Sequence, residues 1–207
     1  MKLIKQGAEA KLYLDKFDNQ LIIIKDRIKK NYRIKQIDEK IRNTRTTLEF
    51  NLLTEARRSG IPTPRILELD KKNHKIIMEF IDGKRIKELL NESDKNTAKK
   101  ISINIGKLIG KLHSRGIIHG DLTTSNMIFK DGKIYFIDFG LGYFSGKIEN
   151  QGTDLRLLFE AIKSTHFKYL DMCWENIIKG YKDEYLRAEE VLKKLEEIRK
   201  RVRYMER

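Results

Sequence analysis

The chain has 207 residues, 40% hydrophobic and 36% charged, which is enough apolar content to bury a core and excludes a disordered composition. Its 44 Lys and Arg against 30 Asp and Glu give a net charge of +14, pointing to a polyanion such as RNA, to an acidic protein face, or to a lysine-rich surface of ion-pair networks. The single cysteine, Cys173, excludes an intrachain disulfide and a cysteine-clustered zinc site, and no stretch approaches the roughly 18 apolar residues of a membrane span.

The opening MKLIKQGAEA lacks the apolar run of a signal peptide, and one cysteine suits a reducing compartment, so a cytoplasmic location is expected. Short apolar runs then alternate with polar breaks in KLIKQ, AKLYL and QLIIIK, predicting a three-strand meander with a turn at Asp15 to Asn19. Residues 38 to 58 contain no Gly or Pro, and Ile41, Leu48 and Leu52 recur at helical spacing, predicting one long helix that Gly60 ends. The only two prolines fall in IPTP, Ile61 to Pro64, and force an extended connection to strands near 65 to 69 and 75 to 81.

A second helix is expected over 95 to 114, where Ile101, Ile105, Leu108, Ile109 and Leu112 share one face. The apolar pair Ile117 and Ile118, a polar loop, and strand-like pieces at Met127 to Phe129 and Lys133 to Ile137 follow, the last two joined at Asp131 and Gly132. From about 153 onward the pattern predicts three helices, the last with charges of both signs.

The chemistry sits in HGDLTTSN, 119 to 126, and in IDFG, which contains Asp138. Transfer of a phosphoryl group needs one carboxylate to orient the attacking oxygen and further oxygen ligands to hold magnesium against the phosphates. Asp121 suits the first task, and Asn126 and Asp138 the second. The hairpin between them brings both motifs to one end of a cleft. His119 reads as a packing and hydrogen-bonding residue of the loop and not as a proton carrier.

These residues match the protein-kinase signature, in which the Asp and Asn of the catalytic loop precede Asp-Phe-Gly. That pattern also asks for a strand lysine paired with a helical glutamate. Lys25, ending the apolar run LIIIK, fits the first, because a cation at the end of a buried strand needs a partner. Glu49 is favoured as that partner over Glu55, since it adjoins the face carrying Leu48 and Leu52. The two glutamates stand about 240° apart around a helix and cannot both face the cleft.

The nucleotide-covering loop is expected at Gln6, Gly7, Ala8, Glu9 and Ala10, where the single glycine departs from the glycine-rich cradle. Met78, Glu79 and Ile81 lie where an adenine-binding hinge belongs. The implied fold class is α+β, a minimal two-lobed protein-kinase-like fold. A β-rich N-lobe with one long helix would occupy 1–81, and a reduced helical C-lobe 82–207.

QGAEA, RTTLE, GIPTP, HGDLTTSN and IDFGLG together resemble the small atypical serine/threonine kinases of the PRPK type, subunits of the KEOPS tRNA-modification complex. The likeness spans nearly the whole chain. It implies use of ATP with Mg2+, and partnership with the tRNA threonylcarbamoyltransferase subunit and other KEOPS subunits. It also implies contact with tRNA, indirectly or through a basic tail containing Arg199, Lys200, Arg201 and Arg203, for which Lys25 to Arg45 is a second basic candidate. Asp154 resembles the helix-borne aspartate of that family, although Glu149, Asn150 and Gln151 depart from its usual acidic and basic pair. Kinases of the RIO type are a cousin whose nucleotide loop differs from QGAEA.

No Ala-Pro-Glu motif occurs, and Thr123 occupies a position where many protein kinases carry a phosphate-contacting lysine. Slow or partner-dependent turnover by a kinase or ATPase is therefore expected. Two other functions compete. One is a small-molecule kinase of the aminoglycoside or choline type, which the short C-terminal region opposes; the other is a non-enzymatic tRNA-binding scaffold with a nucleotide switch, which the complete catalytic set opposes.

Overall fold

The computed structural model describes residues 1–205, with side chains described as far as Arg201. Five antiparallel strands, β1 (Lys2–Gln6), β2 (Ala10–Phe17), β3 (Gln20–Arg27), β4 (Ile66–Asp70) and β5 (Lys75–Glu79), form one sheet in the order β1-β2-β3-β5-β4. The β2–β3 hairpin closes on Asp18 and Asn19, both left-handed with φ 45° and 60°, as a two-residue turn between right-twisting strands requires. β3 is thereby internal, pairing Lys25 with Leu12 on one side and with Ile76 on the other.

Between β3 and β4 runs α1 (Lys35–Arg58), three residues longer at its start than the apolar spacing predicts. It stops in a Schellman turn. Gly60 takes φ 78°, Ile61 N–H bonds to the Ala56 carbonyl at 3.0 Å, and Gly60 N–H bonds to that of Arg57 at 3.0 Å. Leu52, Leu53 and Ala56 on its inner face belong to the same hydrophobic cluster as the helices that follow, so α1 packs against both halves of the molecule.

After β5 come β6 (Lys84–Arg85), α2 (Ile86–Glu92) and α3 (Lys95–Ser114). Asp94 caps α3, its carboxylate accepting from the N–H groups of Asn96 at 2.8 Å and Thr97 at 3.0 Å. β7 (Ile117–Ile118) precedes the polar loop, and β8 (Met127–Lys130) and β9 (Lys133–Phe136) form the hairpin, with β6 added at the edge of β8. β10 (Tyr143–Phe144) returns to pair with β7.

α4 (Ile148–Thr165), α5 (Leu170–Glu184) and α6 (Ala188–Met205) complete the chain, the first beginning five residues before the predicted start. α3 and α5 cross at Gly106 and Gly180. A Cβ on either glycine would lie 2.0 Å from a carbonyl oxygen of the facing helix, so only glycine permits this approach. Among the described residues no helix is long and apolar enough to cross a membrane.

Candidate active site

Alternation along β3 puts Lys25 and Arg27 on one face of the sheet, beneath α1. Glu49, 1% exposed, meets both: Lys25 Nζ lies 2.6 Å from its Oε1 and Arg27 Nη2 lies 2.6 Å from its Oε2. Glu55 does not take part and accepts from Ser59 instead, at 3.4 Å. Lys25 Nζ also donates to Asp138 Oδ1 at 2.6 Å. Burial disfavours the Lys25 ammonium, but Glu49 and Asp138 more than offset it and hold its pKa above the ordinary lysine value. Partial burial would raise the Asp138 carboxyl; the facing ammonium dominates and lowers it.

Arg27 escaped the sequence reading, although its place two residues after Lys25 on a strand was the available signal. Its Nε is buried without a hydrogen-bond partner.

The loop between β7 and β8 carries Asp121 and Asn126. The Asn126 side-chain amide donates to the Asp121 carboxylate at 2.8 Å and to its carbonyl at 3.0 Å, while Ile137 N–H bonds to the Asn126 carbonyl at 3.0 Å. The hairpin thus ties Asp121 and Asn126 to the strand leading into Asp138, whose backbone is left-handed at φ 63°. Gly120 has φ 77°, and a Cβ there would sit 2.2 Å from the Leu141 carbonyl oxygen, so the Gly in HGD is a steric requirement.

Asp154, 1% exposed on α4, holds this loop from below. Its two oxygens accept the N–H groups of His119 at 2.8 Å and Gly120 at 2.9 Å. His113 Nε2 lies 3.4 Å from the same carboxylate, and its Nδ1 meets the Tyr181 hydroxyl at 2.8 Å. Asp154, the seventh residue of α4 and not a helix N-terminal residue, is a buried support for the loop that carries Asp121. Fully buried His119 packs 4.5 Å from the Phe139 ring and contacts the Ile137 carbonyl at 3.2 Å; burial lowers its pKa, which suits a neutral packing role. On the other side of the loop Thr124 Oγ1 meets His166 Nε2 at 3.0 Å, and His166 Nδ1 meets the Asn91 amide oxygen at 2.7 Å.

Two adjoining cavities open on these groups. One, of about 130 Å³, is walled by apolar side chains including Leu12, Ile23, Met78 and Ile128, with Asn126 and Asp138 at its inner end. Its edge is the end of β5 and the segment that follows it. There Glu79 N–H is already bonded to the Arg65 carbonyl at 2.9 Å, so Glu79 can offer only its carbonyl, whereas nothing among the described residues accepts from Ile81 N–H. The other cavity, of about 300 Å³, is bounded by Gly7, Ala8, Glu9 and Ala10, and by Asp121 and Asp138.

Gln6 stands apart from the rest of the loop: it is exposed, pairs with Lys11 at the end of β1, and lines neither cavity. The covering turn closes through Gly7 N–H on the Ala10 carbonyl at 2.9 Å. Lys30 donates to the Ala8 carbonyl, Arg33 pairs with Glu9 at 3.4 Å, and Asp38 of α1 accepts the Lys30 N–H at 3.2 Å. Side-chain cations brace this loop where glycines would otherwise shape it.

The basic tail is partly engaged within the fold. Arg199 stacks 4.1 Å over the Phe159 ring and pairs with Glu196 at 3.1 Å, and Arg201 pairs with Glu149 at 2.8 Å. Lys200 is exposed, and the side chain of Arg203 lies outside the described residues.

Among the described residues no three His, Cys, Asp or Glu side chains converge to hold a metal ion by themselves. Asn126 and Asp138 do fit a weaker demand, one carboxylate and one amide oxygen at a shared cavity. Magnesium is ordinarily held by one or two such ligands together with substrate phosphates.

A model of the RIO domain matches residues 10–141. The KEOPS complex subunit Bud32 of Pyrococcus abyssi is 48% identical over all of this chain and 98% of its own length. The probable bifunctional tRNA threonylcarbamoyladenosine biosynthesis protein of Methanosarcina mazei is 42% identical over 98% of this chain, which spans 36% of that longer protein. Among solved structures, the Rio2 kinase–ADP/Mg2+–phosphoaspartate complex from Chaetomium thermophilum superposes over 99% of this chain and 72% of its own with a TM-score of 0.66, at 14% identity.

Proposed function

Because the chain belongs to the RIO-domain family of atypical kinases, and within it to the group of the KEOPS subunit Bud32, we propose that it uses ATP as a kinase or ATPase serving threonylcarbamoyladenosine modification of tRNA. One observation carries this reading: Lys25 touches both Glu49 and Asp138 where the apolar cavity meets the cavity containing Asp121. An ammonium ion held by two carboxylates at that junction is placed to move on to nucleotide phosphates when Asp138 takes up another cation.

In this reading the apolar cavity receives the adenine, with Ile81 N–H as hydrogen-bond donor and the Glu79 carbonyl as acceptor. Gly7 to Ala10 cover the phosphates. Magnesium, held by Asn126 and Asp138, supplies neutralisation of phosphate charge. Asp121, oriented by the Asn126 amide, directs the attacking oxygen and accepts its proton. The division into lobes at residue 81 belongs to the same proposal, since the cleft opens beside Ile81.

The names of the relatives support KEOPS partners, foremost the tRNA threonylcarbamoyltransferase subunit, because this chain spans about a third of proteins called bifunctional. Contact with tRNA through the tail would rest on Arg199, Lys200, Arg201 and Arg203, the surface ion pairs of Arg199 and Arg201 being exchangeable for phosphate.

The test is ATP turnover with magnesium, with and without the candidate partner and tRNA. Asp138→Ala should abolish turnover while leaving the thermal transition in place. Undiminished turnover would refute the assignment.

A further inference from the structure

The loop that carries Asp121 has Thr123 where a lysine would neutralise the phosphate in transfer, so positive charge must come from elsewhere or be absent. The 300 Å³ cavity over Asp121 and Asp138 is also lined by Lys25, Arg27 and Arg45. These three cations differ in their commitments. Lys25 is shared between Glu49 and Asp138, and Arg27, 3% exposed, is bound to Glu49. Arg45 is partly exposed and forms no ion pair or side-chain hydrogen bond among the described residues.

Its freedom has a structural cause. Arg45 precedes Glu49 by four residues and shares the face of α1 that looks onto the cleft. Glu49 would be its natural intrahelical partner, but Lys25 and Arg27 occupy both Glu49 oxygens. Two turns earlier, Asp38 is already paired with Arg42 at 2.8 Å. Lys5 also lines the cavity, but it comes from the outermost strand and lines the apolar cavity as well, which puts it at the mouth between the two.

We propose that Arg45 binds the terminal phosphate of the nucleotide and supplies, from α1, the charge that Thr123 does not. This rests on the nucleotide reading above and adds a phosphate-binding residue to it. A planar guanidinium can engage two phosphate oxygens at once, so its contribution should appear when a third phosphate is present and grow as charge shifts in transfer.

The test uses the full chain with Arg45→Ala and Arg45→Lys. Calorimetry with magnesium compares ADP against an ATP analogue carrying a β,γ-imido bridge, and ATP turnover is measured alongside. In Arg45→Ala, affinity for ADP should change less than about twofold, affinity for the analogue should fall about tenfold, and turnover should fall roughly a hundredfold, with partial recovery in Arg45→Lys. Equal weakening of both nucleotides would overturn the proposal by assigning Arg45 to the placement of α1. Unchanged analogue affinity and turnover would overturn it outright. If wild type binds neither nucleotide, the functional reading itself falls.

Discussion

Replacing Asp154 tests whether α4 positions the catalytic loop. In Asp154→Ala, the buried N–H groups of His119 and Gly120 lose acceptors at 2.8 and 2.9 Å, and His113 loses its carboxylate neighbour. Each orphaned buried donor costs about 1–3 kcal/mol, so the variant should lose about 4 kcal/mol, a large part of the stability of a small protein. Asp154→Asn keeps the shape and one acceptor oxygen but turns an NH2 group toward the other N–H, and should lose about 2 kcal/mol. Asp121 follows Gly120 directly, whereas the apolar cavity is walled by strands remote from α4. Turnover at saturating ATP should therefore fall, about a hundredfold for a shift near 1 Å, with little change in KM for ATP. Urea denaturation gives the stability and an ATP titration separates kcat from KM. Wild-type kcat in a folded but destabilised Asp154→Asn variant would refute the positioning role.

Gly106→Ala forces a Cβ to within 2.0 Å of the Ile177 carbonyl oxygen, so α3 and α5 must separate; a loss of about 1–3 kcal/mol is expected in urea denaturation, and a neutral effect would contradict the close crossing. Burial, with a smaller effect from Lys87, pushes the His166 pKa down to about 4. The unfolded chain titrates this group near the ordinary 6.5 and so binds more protons between those values. His166's share of stability is then fully present above about pH 6.5 and lost as pH falls toward 4, amounting to about 2 kcal/mol after allowance for solvent screening. In His166→Gln the pH dependence of the melting temperature over that window should flatten; an unchanged slope would locate the titration elsewhere.

What the sequence disclosed divides along physical lines. Lys25 and Glu49 were legible because a lysine ending an apolar strand demands a partner, and helical geometry lets only one of two glutamates face it. The β8–β9 hairpin was legible from Asp131-Gly132, residues that tolerate positive φ, whereas the turn expected at Asp15 to Asn19 is confined to Asp18 and Asn19, because β2 runs on to Phe17. α2 is seven residues long and β7 and β10 two each, too short for periodicity to register. α4 starts at Ile148, five residues before the predicted start, and includes Gly152, where α6 passes closely: a Cβ there would be 3.1 Å from the Ile198 side chain. Asp154 was open between an ordinary helix N-terminal residue and a support for the loop of Asp121, because its contacts join a side chain to backbone groups distant in sequence. The tail shows the reverse relation. Its cations are visible in sequence, but their partners Glu149, Glu196 and Phe159 are matched to them only by the fold.

The single glycine of QGAEA has a structural answer in α1. A glycine-rich loop shapes itself around phosphate through backbone freedom, at an entropic cost on ordering. Here the Ala8 carbonyl and the Glu9 carboxylate are drawn outward by Lys30 and Arg33, neither of which lines the phosphate-side cavity. A carbonyl and the following N–H point in opposite directions across a trans peptide, so turning the Ala8 carbonyl toward Lys30 turns Glu9 N–H away from Lys30. Asp38 anchors the segment that supplies both cations, and Asp38, Arg45 and Glu49 all belong to α1. A displacement of that one helix must therefore disturb the covering loop, the Lys25 pair and the free guanidinium together, which, on the proposed function, makes the position of α1 the variable on which phosphate binding would depend.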